Sequence, residues 1–300
     1  MKTIKLLMLT CAISFNTVFA HENIENDPDF LRLENPFFGQ KPPVLTPEVI
    51  APGIVTTEES FIGGVKFSPD MKEIYIAKKG GKYKDFTHLI IRYEDNKWQD
   101  ESVSDLKFPV FSKDGTIIYK GNQYRERTES GWSEFKSMGA PFDDKFIMGI
   151  SLSDKKAIFF SHFDAPDRDG VISYSRFIDG KYEPSQKLGK EINNGSPLAH
   201  PYIAPDESYL IWDAVREGGY GDSDLYISFR QNDGSWGAVI NLGAHINTKQ
   251  EEGGPRVTPD GKYLTFWRGG SRVKEDGSRD VFGNPYWVDA KIIENLRPKQ

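Results

Sequence analysis

From residue 65 onward the chain is written in short alternations of apolar and polar positions, cut by a recurring tight-turn signal. Five segments carry it: Val65-Lys66-Phe67-Ser68-Pro69-Asp70, Pro109-Val110-Phe111-Ser112-Lys113-Asp114, Gly149-Ile150-Ser151-Leu152-Ser153-Asp154, Pro201-Tyr202-Ile203-Ala204-Pro205-Asp206 and Pro255-Arg256-Val257-Thr258-Pro259-Asp260. Each ends in Asp and precedes an alternating run, at 73–77, 116–119, 157–160, 209–212 and 263–267. The pattern predicts strand, turn, strand. Pro presets φ, Asp bonds its own backbone two residues on, and Gly115 or Gly261 accepts a positive φ. A third strand is predicted at 87–93, 170–177, 224–229 and 280–288. A polar turn with an aromatic follows (Trp98, Trp132, Tyr182, Trp236), and then a weaker fourth strand.

The unit repeats. At an offset of 54, Asp179, Gly180, Leu188, Gly189, Ile192, Asn193 and Asp206 fall on Asp233, Gly234, Leu242, Gly243, Ile246, Asn247 and Asp260 without a gap. A repeated four-stranded unit of this length predicts an all-β fold, a β-propeller of four-stranded blades, each blade burying both faces against its neighbours. Most tryptophans and tyrosines are therefore expected in the core. Five hairpins predict five blades; six is the alternative, with residues 121–145 the place to hide another. The last unit lacks a fourth strand before a short helix begins at Lys291, so the N-terminal run 48–55 is expected to close the ring.

Composition sharpens the boundaries. Lys2 and Lys5, the apolar run to Phe19 and the small residues Val18 and Ala20 predict a signal peptide over 1–20, cut near Ala20. The apolar run is too short to span a bilayer, and the product is expected in the periplasm or secreted. Residues 21–43 read as an exposed lead-in and 44–300 as one propeller domain. Cleavage removes Cys11, the only cysteine, which excludes disulfides, Cys-based zinc sites and a Cys nucleophile. Net charge moves from −6 to −8, against nucleic acid or anionic membranes as partners.

The hairpins Phe67-Ser68-Pro69-Asp70 and Thr258-Pro259-Asp260-Gly261-Lys262, with Asp224-Leu225-Tyr226, resemble the repeat of the TolB-type, WD-repeat-like propeller family. The opening Gly39-Gln40-Lys41-Pro42-Pro43 is similar to that of stand-alone exported members. The resemblance covers roughly residues 39–296 and implies the fold. The family includes scaffolds, ligand binders and some enzymes, so it implies no single function.

Candidate chemistry projects onto one face, formed by the starts of the inner strands and the turns between second and third strands. His162, His200 and His245 fall there, with Glu58, Glu59, Glu251 and Glu252 and with Asp164, Asp167, Asp169, Asp213, Asp222 and Asp224. The ligand-binding candidates are His200, Tyr202, Arg256, Glu59 and Glu252. Tyr202, Trp212, Tyr220 and Trp267, with Arg216, Arg256 and Arg268, could stack and pair with an acidic sugar or peptide. His162, His200 and His245 are the catalytic candidates. Imidazole with carboxylate suits a divalent metal, with His200, His245, Asp167 and Asp169 the weak ligand candidates, although no fixed ligand spacing is present and no cofactor is expected. Residues 164–170 hint at a calcium loop in an incomplete register. No nucleophile elbow or phosphate loop is found. The expectation is an exported binding or scaffold propeller for a protein partner or a small or oligosaccharide ligand. The alternative is a metal-assisted lyase or hydrolase on acidic oligosaccharides.

Overall fold

The computed structural model describes residues 38–57, 60–163, 170–273, 277 and 279–299. The signal-peptide segment, most of the lead-in, Glu58, Glu59 and residues 164–169 lie outside them. The chain forms a five-bladed β-propeller of four-stranded antiparallel blades. Inner to outer, blade one is Ser60–Phe67, Glu73–Gly80, Tyr83–Glu94 and Ser102–Val103. Blade two is Val110–Phe111, Ile117–Lys120, Gln123–Thr128 and Lys136–Ser137. Blade three is Phe146–Leu152, Ile158–Phe163, Val171–Ser175 and Gln186–Lys187. Blade four is Leu198–Ile203, Tyr209–Ala214, Asp224–Phe229 and Ile240–Asn241. Blade five is Glu251–Val257, Tyr263–Val273 and Arg279–Asp289. Residues 121–145 supply the outer strands of blade two and form no further blade.

The ring closes as expected. Glu48–Val49 completes blade five, pairing Glu48 with Trp287 and Val49 with Tyr286. The Gln40 amide holds this segment from the side: its Nε2 donates to the Val49 carbonyl at 2.9 Å and its Oε1 accepts from the Ala51 N–H at 2.8 Å. The helix Lys291–Leu296 follows the last strand and buries Ile292 and Ile293 against blades four and five.

The period-two alternation explains the packing. In blade four Leu210, Trp212 and Tyr226 face blade three, whereas Ile211, Leu225 and Ile227 face blade five. Five apolar clusters result, one for each interface between blades. They are unequal. The cluster between blades one and two has only four buried members, Tyr75, Ile90, Leu106 and Ile118, against twelve between blades five and one.

The repeated hairpin is a hydrogen-bonded unit. Ser68 Oγ donates to Asp70 Oδ1 at 2.6 Å and accepts from the Glu73 N–H at 2.9 Å, while Asp70 accepts from the Lys72 N–H. Ser112 with Asp114, and Thr258 with Asp260, repeat the pattern. Hydrogen bonds from Ser112 and from the Thr116 hydroxyl and N–H hold Asp114 down at about 2. These carboxylates face away from the side carrying the candidate site.

The repeated Asn closes blades three and four. Asn193 accepts from the Ile172 N–H and donates to its carbonyl; Asn247 does the same to Leu225. An amide side chain thereby continues the ladder where the fourth strand has ended.

Candidate functional site

The inner strands of blades one, three, four and five each carry a bulge, between Gly63 and Lys66, Ile147 and Gly149, Ala199 and Tyr202, and Gly253 and Arg256. A bulge adds one unpaired residue and bends the strand. In blade five the bulge places Gly254 at φ +61; in blade four the corresponding residue is His200 at φ +48. A non-glycine residue in that region carries steric strain of roughly 1–2 kcal/mol. Strain of this kind persists only where the surroundings impose it, and it gathers at functional sites.

The surroundings of His200 do impose it. A Cβ at Gly149 would stand 2.8 Å from the His200 Cα, so blade three can approach only as glycine. The His200 ring is held by Asp213 at the end of the second strand of blade four, Nδ1 to Oδ1 at 2.9 Å. Asp213 is fixed in turn by the Gly254 N–H at 2.9 Å. The Asp213 side chain is 9% exposed and the His200 side chain 37%. An ionised carboxylate only accepts, so Nδ1 carries the proton donated to Asp213, and in the neutral tautomer Nε2 holds the lone pair. Nε2 has no partner among the described residues. Burial, then the Asp213 and Asp222 carboxylates, push Glu251 up from the usual carboxylate range.

Two basic side chains follow the bulges on the inner strands of blades five and one. Arg256 donates to the carbonyls of Pro255, Pro201 and His200 and reaches Ile150 of blade three at 3.0 Å. It thereby satisfies carbonyls on the open edges of two neighbouring inner strands. Burial lowers it to about 10. Lys66 stands at the corresponding bulge of blade one. Burial, then the Arg256 charge, hold its ammonium well below the usual lysine range, and Asp213 opposes them. Among the described residues the Lys66 side chain has no ion pair or hydrogen-bond partner.

The other sequence candidates are placed as follows. His162 is buried on the blade-two side of its strand, beside Phe160, with Nε2 3.0 Å from Ser173 Oγ. It points opposite to Ser161, whose hydroxyl accepts from the His200 N–H. His245 is exposed in the turn before blade five. The three histidines are therefore not brought together, and no group of three or more His, Cys, Asp or Glu able to hold a metal is present among the described residues. Glu252 is fully buried, accepting from Arg268 Nε at 2.8 Å and from the Thr248 hydroxyl and N–H. Tyr202 and Trp212 pack between blades, and Arg216 caps the carbonyls of Glu191 and Ile192. Glu59, Asp167 and Asp169 lie outside the described residues. Lys66 was missed, although Gly63-Gly64-Val65-Lys66 matches Gly253-Gly254-Pro255-Arg256 in pattern and signals the shared bulge.

Around this centre the same face exposes Phe86, Phe146, Met148, Tyr220, Val273 and Phe282. Phe146 is 70% exposed. Phe61 stacks edge-on against both Phe86 and Trp267, joining blades one and five. In blade five the hairpin of Tyr263–Val273 and Arg279–Asp289 runs past Glu251, the first residue of the inner strand, and raises Val273 and Phe282 above the mouth.

No protein-family model matches the chain, and no curated protein matches it. Among solved structures it is similar to TolB from Acinetobacter baumannii, at 16% identity and a TM-score of 0.44, over 77% of this chain and 57% of that one. The chain thus spans little more than half the length of TolB. It is also similar to the calcium-binding protein regucalcin from Agrobacterium tumefaciens strain C58 (12%, TM-score 0.42, 82% and 78% covered). A third is the oligogalacturonate lyase from Vibrio parahaemolyticus (12%, 0.38, 77% and 66%). At these identities the likeness is one of fold. Among the described residues no helix is long and apolar enough to cross a membrane.

Proposed function

We propose that this chain is an exported binding propeller whose central face takes a segment of a protein partner, with an acidic group directed into the channel. The observation that carries the reading is His200: a strained residue, fixed by a buried Asp213, with Nε2 unengaged, on the face whose blade-one bulge carries the unpaired Lys66 side chain. Burial disfavours the charged form of the Lys66 amine, and an incoming carboxylate stabilises that form by pairing with it. The surrounding rim is Phe, Met and Val more than Tyr or Trp. It suits apolar side chains of a protein, and aromatic and Met enrichment around a polar centre is how interfaces are built.

Site-directed photocrosslinking in the exporting host tests this, with a benzophenone residue at position 86 or 282 and an outer control at position 178. The expected result is a discrete adduct from the first two positions, reduced about tenfold or more by Lys66→Ala, in line with the loss of one charge-assisted hydrogen bond. Equal adducts from position 178, or adducts indifferent to Lys66→Ala, overturn the reading.

The His200–Asp213 pair supports a second reading, acid–base chemistry on acidic oligosaccharides, since a carboxylate-held imidazole is poised to accept a proton at Nε2. Turnover of uronic oligosaccharides that vanishes in His200→Ala would establish it. No turnover by the parent protein, assayed with and without added divalent metals, would end it.

A further inference from the structure

The weakly packed interface between blades one and two opens outward into a groove of about 280 Å³, away from the channel. Three arginines line it: Arg92 from the third strand of blade one, and Arg125 and Arg127 from the third strand of blade two. They face two carboxylates. Arg92 pairs with Glu73 at 3.3 Å and Arg125 with Asp105 at 3.0 Å. Glu73 is further engaged by the Tyr75 hydroxyl at 2.7 Å. Arg127 has no carboxylate partner among the described residues; its guanidinium lies over Trp132, 5.0 Å from the ring centre.

Arg125 is the unusual member. It is 8% exposed, sits against Trp132 and Phe135, and its Nε has no hydrogen-bond partner. Buried guanidinium donors are normally all used, and an unused one needs an explanation. Asp105, its ion-pair partner, has a side chain 76% exposed and so is free to swing away. The groove therefore holds one more cation than anion, one buried unused donor and an exchangeable carboxylate. Aromatic faces keep the guanidinium planes in place, so little entropy is lost when their forks engage an oxyanion.

We propose that this groove is an anion-binding site, distinct from the central face, for a small ligand bearing a carboxylate or a sulfate or phosphate group. The ligand's oxygens take the place of Asp105 on Arg125 and pair with the free fork of Arg127. The volume admits a group the size of a dicarboxylate or a single sulfated or phosphorylated unit, not a polymer.

Calorimetric titration of the purified protein with inorganic sulfate, inorganic phosphate and malonate, each at ionic strength matched with potassium chloride, tests the site. Trp132 supplies a parallel fluorescence readout. Saturable binding of at least one probe is expected, and the preferred probe separates the tetrahedral anions from the carboxylate. Arg127→Ala should weaken it about tenfold or more, and Asp105→Asn should tighten it. Arg127 is exposed, so its loss leaves the fold intact; a thermal melt unchanged from the parent checks this. Absence of saturable binding by all three probes, or binding unaffected by Arg127→Ala in a protein with the parent melt, overturns the site. Because Lys66→Ala leaves this groove untouched, its failure and that of the central-face reading are distinguishable.

Discussion

Blades four and five are copies at an offset of 54 residues, yet they do different things at the channel mouth. The repeat runs from the outer edge of one blade into the hairpin of the next: Leu188 and Asn193, closing blade three, match Leu242 and Asn247, closing blade four, and the hairpin Asp206 of blade four matches Asp260 of blade five. Their inner strands diverge. His200 stands where blade five has Gly254, Tyr202 where it has Arg256, and Asp213 where it has Trp267. The repeated positions solve the problem every blade shares, ending a sheet and turning a hairpin. The divergent positions lie on the two innermost strands, where each blade meets different neighbours; His200 and Arg256 among them reach across to blade three. The two copies also cooperate, since the Gly254 N–H of blade five fixes the Asp213 carboxylate of blade four.

If this division is right, substitutions at shared or buried structural positions should cost stability, and those at divergent ones should cost binding. The largest loss is expected for Glu252→Ala, which strands Arg268 in the interior; about 3–5 kcal/mol should appear in the denaturant midpoint. Asn247→Ala, which orphans the Leu225 N–H and carbonyl, should cost about 2–3 kcal/mol. At the divergent position His200→Gly copies blade five into blade four. Relief of backbone strain offsets the lost hydrogen bond to Asp213, so stability should stay within about 1 kcal/mol of the parent, while central-face crosslinking is lost. A large stability loss in that variant would mean that His200 serves the fold. The smallest effect is Asp114→Asn. Asp114 has a folded-state pKa near 2, below the roughly 3.9 of an unfolded aspartate. Its contribution is therefore present above pH 4 and lost as pH falls toward 2. The variant should flatten that acid limb by slightly lowering stability at neutral pH while leaving stability near pH 2 almost unchanged.

The fold was largely legible. The hairpin signal located every inner strand, and the missing fourth strand of the last unit foretold closure by the N-terminal segment. One strand escaped, Gln123–Thr128, whose sequence Gln-Tyr-Arg-Glu-Arg-Thr carries no apolar alternation. Its buried position is held by Arg125, packed between aromatic rings. Periodicity detects burial only through apolar residues, so a strand that buries an arginine is invisible to it. That same strand lines the groove between blades one and two.

The sequence by itself determined the repeat, the turn chemistry and the face on which His200 and Asp213 fall, because each depends on residues within a few positions of one another. Only the tertiary structure decided which side chains meet. It turned His162 and Glu252 into the interior, left His245 in an exposed turn, and set Lys66 beside Arg256 across the channel. In a propeller the mouth is assembled from inner strands about fifty residues apart in the chain, and one bulge or one glycine decides where each side chain points. Those long-range approaches, Gly149 against the His200 backbone and Gly254 against Asp213, leave no periodic mark on the chain.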